Sequence, residues 1–213
     1  MIKKQKITFN PFQENTVILW DETKECVIID AGCYEKEEQE YLVDFIGKNE
    51  LKPVKLISTH SHIDHVLGNT FVVNKYNIPL EIHQKDEETL KSVGLYAGNY
   101  GFGMYQESPL PSSYLKAGEN VKFGNSELEV RFVPGHAPGH VVFIAREEKF
   151  VINGDCLFRG SIGRTDLPGG DYDTLISSIK SQLFTLPNDF VVYCGHGPET
   201  TIGFEKENNP FLQ

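Results

Sequence analysis

No stretch of this sequence approaches the ~20 consecutive apolar residues that cross a bilayer. The basic start, Met1-Ile2-Lys3-Lys4-Gln5-Lys6, runs into Ile7-Thr8-Phe9-Asn10-Pro11 without the apolar core of a signal peptide. Cysteine is scarce. Cys26, Cys33, Cys156 and Cys194 form no Cys-x-x-Cys pair, and four in 213 residues are too few for a disulfide framework. Free thiols, a reducing compartment and therefore a cytoplasmic location are expected. Basic charge is also short: 20 Lys and Arg stand against 30 Asp and Glu, a net charge of −10. That field repels a phosphate backbone and an anionic lipid surface, so neither nucleic acid nor membrane is an expected partner. No Gly-x-Ser-x-Gly elbow is present to supply a serine nucleophile. Linkers, repeats and low-complexity blocks are missing as well, which makes residues 1–213 one domain in the simplest account.

What is present is a globular composition, 39% hydrophobic and 23% charged, arranged in short β-branched and aromatic runs. Lys4 to Phe9, Asn15 to Trp20 and Cys26 to Asp30 read as strands separated by polar turns, hence antiparallel sheet. Tyr41, Leu42, Phe45 and Ile46 fall at helical spacing between Glu35 and Asn49, and Val54 to Ser58 reads as the next strand. Helix from about Leu67 to Tyr76, strand Leu80 to His83 and a short helix from about Lys85 to Val93 follow. Residues Gly94 to Ser113 lose all periodicity and read as a long loop, of the kind that often carries function. A second run of strands covers Glu119 to Phe123, Leu128 to Pro134, Val141 to Arg146 and Phe150 to Asn153. A turn-rich stretch from Phe158 to Gly170, a helix from about Tyr172 to Leu186, a strand from Phe190 to Cys194 and a polar tail complete the chain. Two β-rich halves, each followed by helices, predict two packed sheets flanked by helices.

Three of the seven histidines crowd into Thr59-His60-Ser61-His62-Ile63-Asp64-His65, where an apolar strand ends. Side chains leaving a strand end can be folded by a loop around one centre. Imidazole and carboxylate together suit zinc, iron or manganese. Three further candidates also sit at strand ends, each after a glycine: His136 after Gly135, Asp155 after Gly154 and His196 after Gly195. Seven donors are too many for one tetrahedral ion but divide over two, with Asp155 able to bridge through its two oxygens. His83 reads as an ordinary surface or edge residue. His140, in Gly135-His136-Ala137-Pro138-Gly139-His140, and Asp30, at the end of an apolar strand, are candidates for support behind the ligands. Each also has a plain structural alternative, a satisfied histidine and a turn-forming aspartate.

The run His60-Ser61-His62-Ile63-Asp64-His65 with His136, Asp155 and His196 resembles the metallo-β-lactamase superfamily over nearly the whole chain. Pro134 to His140, Gly154-Asp155, Gly160 to Asp166 and Gly195 to Thr201 resemble its glyoxalase II-like hydrolases, of the short single-domain type. The resemblance implies an α/β fold, a four-layer αβ/βα sandwich of mixed or antiparallel sheets with metals at one sheet edge. It implies His60, His62 and His136 at a first ion, Asp64, His65 and His196 at a second, and Asp155 bridging. It further implies a thioester hydrolase, with a metal-bridging hydroxide as nucleophile oriented by Asp64. A persulfide dioxygenase with one iron, a lactone or β-lactam hydrolase, and a non-catalytic metal-stabilised binding protein are the alternatives. Retention of every ligand argues against the last.

Substrate contacts are expected from the 94–113 loop, with Tyr96, Tyr100, Phe102 and Tyr105, and from Arg164, which could instead pair with Asp166. Cys156 and Cys194 are read as buried fillers. Full-length glyoxalase II enzymes carry a C-terminal helical region with basic groups for glutathione. The 17 residues after His196 hold one basic residue, Lys206, so a weak hold on glutathione is expected.

Overall fold

The computed structural model describes residues 1–213. The first half of the chain builds a six-stranded sheet from β1 (Lys3–Phe9), β2 (Glu14–Trp20), β3 (Glu25–Ile29), β4 (Lys52–Ile57), β5 (Leu80–His83) and β6 (Ser113–Leu115), in that spatial order. Short polar turns make β1 to β3 antiparallel, whereas β3 to β6 run parallel, with helices in the intervening crossovers. Those helices are α1 (Lys36–Lys48), α2 (Ile63–Val66), α3 (Asn69–Tyr76) and α4 (Glu87–Tyr96).

The second half adds β7 (Asn120–Phe123), β8 (Ser126–Phe132), β9 (Val141–Ala145), β10 (Phe150–Gly154), a ribbon of β11 (Leu157–Phe158) and β12 (Ser161–Ile162), then α5 (Tyr172–Ser178), β13 (Val191–Cys194), β14 (Thr200–Thr201) and α6 (Ile202–Asn208). Its large sheet has the order β14-β13-β10-β9-β8-β7. No helix is long and apolar enough to cross a membrane.

Period-two alternation explains the layering, because successive strand residues face opposite sides. Val17, Leu19, Val27, Ile29 and Ile57 meet Val141, Phe143, Phe150 and Ile152 of the other sheet. Ile18, Ile28 and Leu56 point the other way, onto Leu42 and Ile46 of α1, Val72 of α3 and Leu90 of α4. In the second sheet Val142, Ile144, Val151 and Val192 pack on Leu175, Ile179, Leu183 and Ile202. Both faces of the central strands are covered, which is why β9 reads as the unbroken apolar run Val141-Val142-Phe143-Ile144-Ala145. The result is the four-layer αβ/βα sandwich with mixed sheets.

Several elements differ from expectation. The 94–113 loop is shorter, because α4 runs on to Tyr96 and a 3-10 turn covers Ala97–Tyr100; Leu90, Val93 and Ala97 carry its buried stripe, and Gly94 lies where a Cβ would meet Glu107 Oε1 at 2.9 Å. The helix expected from about Leu67 to Tyr76 is α3, which starts at Asn69, and a further short helix, α2, precedes it within the histidine segment. The one expected over 172–186 changes to a π-helical turn at Ile179–Leu183. The tail is not irregular: it adds β14 to the sheet edge, and α6 starts on Thr201, whose Oγ1 accepts from Phe204 N at 3.2 Å. His83 is not on an edge, since β5 lies between β4 and β6, and its ring stacks on Phe132 at 4.5 Å.

Candidate metal centre

Strand direction gathers the site. β3, β4 and β5 are parallel, so the residues after their C-termini share one edge of the first sheet. β8 and β10 are both antiparallel to β9, and β13 is parallel to β10, so these three also end together. Asp30 follows β3, the His60–His65 segment follows β4, His136 follows β8, Asp155 follows β10 and His196 follows β13. All seven predicted donors therefore meet at one place.

Two trios form there. His136 Nε2 lies 2.9 Å from His62 Nδ1 and 3.2 Å from His60 Nε2. Asp64 Oδ2 lies 3.0 Å from His196 Nε2 and 3.7 Å from His65 Nε2. Asp155 stands between the trios: Oδ1 is 3.5 Å from His65 Nε2, and Oδ2 is 3.4 Å from His196 Nε2 and 3.7 Å from His136 Nε2. Gly195 permits this crowding, because a Cβ there would meet Asp155 Oδ1 at 2.1 Å.

For His60, His65, His136 and His196 a partner on the far side of the ring aims the near side at the centre. His65 Nδ1 lies 3.1 Å from Asp30 Oδ2, His136 Nδ1 is 2.8 Å from Arg164 O, and His196 Nδ1 is 3.0 Å from Phe12 O. Thr59 Oγ1 donates to Asp30 Oδ2 at 2.6 Å and lies 3.0 Å from His60 Nδ1. A ring N–H committed to an outer acceptor leaves the other nitrogen's lone pair free for a ligand bond. Asp30 reaches its place from a left-handed backbone, φ 55°. His140 Nε2 accepts from Asp155 N at 3.1 Å, and its ring stacks on His60 at 4.8 Å. Both outer residues named from the sequence thus touch the donors.

Charge divides the trios. Burial pushes His60 and His136 below the ordinary imidazole range and His62 down to about 3, so all three are neutral. Burial acts the same way on His65 and His196, but the carboxylates of Asp64 and Asp155 outweigh it; His65 is raised well above the ordinary value and His196 reaches about 10. Burial opposes ionisation of Asp155 and Asp64 too, and the facing imidazoles hold both below the carboxylate range.

The donor set fits divalent metal. His65 Nε2 and Asp155 Oδ1 are buried with no hydrogen-bond partner, a costly arrangement unless something else is bound between them. For ligands ~2.0 Å from a tetrahedral ion the ligand–ligand edge is ~3.3 Å, close to the nitrogen spacings of the first trio.

Three contributors escaped the sequence reading. Glu14, fully buried at the start of β2, has Oε1 3.8 Å from His65 Nδ1, and burial pushes its carboxyl well up. Thr59 links Asp30 to His60; adjacency to His60 was its only signal. Asp86 accepts from Ser61 N and Gly139 N, and nothing in the sequence around it marks it out. Arg164 contributes its carbonyl oxygen to the centre, while its guanidinium pairs with Asp166 at 2.7 and 2.8 Å. The thiols of Cys156 and Cys194 are buried and pushed up in pKa by that burial, Cys194 to about 12.

Buried imidazoles and carboxylates at the common edge of two sheets, with unpartnered atoms facing one another, define a divalent-metal site of the metallo-hydrolase class. The chain belongs to the metallo-β-lactamase superfamily, whose pattern matches residues 9–196. It is 40% identical over 210 residues to hydroxyacylglutathione hydrolase GloC of Haemophilus influenzae, covering 97% of this chain and 96% of that one. The crystal structure of BLEG-1 B3 metallo-β-lactamase superposes with a TM-score of 0.90 at 33% identity, over 99% of this chain and 100% of the other. TTHA1623, crystallised in a di-iron-bound form, gives 0.87 at 37% identity, over 98% and 100%.

Proposed function

We propose that the protein is a metal-dependent hydrolase of thioesters that works with two divalent ions. His60, His62 and His136 would hold one ion and Asp64, His65 and His196 the other, with Asp155 shared. The observation that carries this is the position of Asp155, whose oxygens lie within 3.7 Å of nitrogens from both trios. Zinc suits these donors, and iron or manganese would be accepted by the same set. Divalent ions held by these residues would supply Lewis acidity and would lower the pKa of a bound water toward neutrality.

The chain's own groups complete the chemistry. Only Asp64 and Asp155 bring negative charge to the donor set, so a centre loaded with two divalent ions stays positive and favours the oxyanion that develops at an acyl carbon. The Asp64 side chain is 14% exposed and faces both its trio and solvent, which places it to orient an attacking water. No side-chain nucleophile is required.

Thioesters are favoured by the similarity to a hydroxyacylglutathione hydrolase along nearly the full length. Beside His196 the rim is aromatic. Phe12, 41% exposed, packs edge to face on Tyr100, 55% exposed, at 6.0 Å, and Phe158 lies 6.3 Å from the His196 ring. Such a rim suits an uncharged acyl or thiol group. Arg164, a candidate substrate contact, is engaged by Asp166, and Lys206, the one basic residue after His196, by Leu186 O at 3.2 Å and Asn188 Oδ1 at 3.0 Å.

Metal content by mass spectrometry after reconstitution with excess zinc or iron tests the two-ion assignment. Two ions per chain are expected, with Asp155→Ala lowering occupancy and cutting thioester turnover by roughly 100-fold or more. One ion per chain under saturating metal would overturn it.

A further inference from the structure

Asp86 lies directly after β5, at the end of a 3-10 turn (Gln84–Asp86), and has no exposed surface. Its carboxylate has no ion-pair partner. Instead each oxygen takes one backbone donor from a different loop: Oδ2 accepts from Ser61 N at 2.5 Å and Oδ1 from Gly139 N at 2.8 Å. Ser61 stands between His60 and His62. Gly139 belongs to the loop that carries His136, which is closed at its base by Val133 N donating to His140 O at 2.9 Å.

One buried carboxylate therefore pins together the two loops that carry the first trio. The loop is also shaped to receive it, because a Cβ at Gly139 would meet Asp86 N at 2.5 Å and Asp86 Cβ at 2.6 Å. Burying an acid without a cationic partner is unfavourable, and apolar packing would join two loops more cheaply. What a carboxylate adds is direction: two acceptors at a fixed separation hold two N–H vectors, and with them the spacing of the imidazoles.

We propose that Asp86 is a positioning residue that sets the geometry of the His60–His62–His136 donor set and thereby the affinity of that site for its ion. This rests on the metal reading given above. It assigns Asp86 no part in the Asp64–His65–His196 set, which it does not touch.

The test is stepwise zinc binding, by competition with a chromophoric chelator, to wild-type protein, Asp86→Asn and Asp86→Ala. The amide keeps the volume but turns an N–H₂ toward one of the two backbone donors, so one clasp is lost; alanine loses both. For Asp86→Asn one binding step should weaken by roughly 10- to 100-fold while the other stays within about threefold, as expected for a residue acting behind one ligand set. Melting temperatures of the metal-free proteins separate positioning from plain stability, and the isosteric amide carries the test if the alanine variant does not fold. Unchanged stepwise affinities with a lowered melting temperature would overturn the proposal, as would equal weakening of both steps. A wild-type chain that takes up no zinc would instead overturn the metal reading beneath it.

Discussion

The two trios hold protons differently, and metal must deal with that difference residue by residue. His60, His62 and His136 are neutral at pH 7 because burial disfavours their charged forms. An ion entering among them displaces no proton. His65 and His196 are buried too, yet the carboxylates beside them keep both rings protonated in the metal-free protein. Since folded-state pKa values there are raised, protons are held below those values and compete with metal, and the competition fades as pH rises. Zinc uptake at pH 7 is therefore expected in two unlike steps, one nearly free of proton release and one releasing protons, with only the second tightening between pH 6 and 9. Calorimetry in buffers of different ionisation enthalpy measures this, and an absence of proton release in both steps would contradict it. The seven donors were legible in the sequence because four crowd into one segment after a strand and the other three each follow a glycine at a strand end. Glu14 and Asp86 were not, because a buried outer carboxylate has neither periodicity nor neighbours to betray it along the chain.

Among the elements, the β2–β3 and β7–β8 turns, about a hundred positions apart in sequence, are joined by one aspartate. Asp21 accepts from Thr23 N at 2.9 Å and Thr23 Oγ1 at 2.6 Å, and across the gap from Asn125 N at 2.6 Å and Ser126 Oγ at 3.0 Å. Burial pushes its carboxyl up, but these donors outweigh it and the pKa lies below the ordinary value of 3.8. A depressed carboxylate contributes stability that is present above the unfolded value and is lost as pH falls through the folded one. Asp21→Asn should cost about 1–3 kcal/mol at pH 7, the range for losing charge-assisted hydrogen bonds, and less as pH falls below about 4. Urea midpoints of both proteins across that range would show it, and a difference that does not change with pH would contradict it. The longer strands were readable from β-branched runs, whereas the two- and three-residue strands β6, β11, β12 and β14 are too short to show a pattern. Helix limits were less so: Gly94 lies inside α4, where the residue type argues for a loop and the buried Leu90, Val93 and Ala97 decide otherwise.

For the whole molecule, sheet order follows from strand direction and interleaving faces, and sequence alone could suggest two layers without fixing which strands abut. Of the net charge of −10, only Asp64 and Asp155 contribute from within the seven donors of the centre. Around that centre an aromatic rim and an arginine, Arg164, already paired with Asp166 favour an uncharged group over glutathione. S-Lactoylglutathione should therefore be a poor substrate, with KM near or above ~1 mM, the upper end of the usual enzyme range. The most direct measurement is thiol release from a thioester panel, S-lactoylglutathione among it, by protein carrying a measured number of metal ions. Turnover that is absent in chelated protein and appears as loading approaches two ions per chain, with lower KM for thioesters lacking the γ-glutamyl group, is the predicted result. No thiol release from any thioester at two ions per chain would contradict the account.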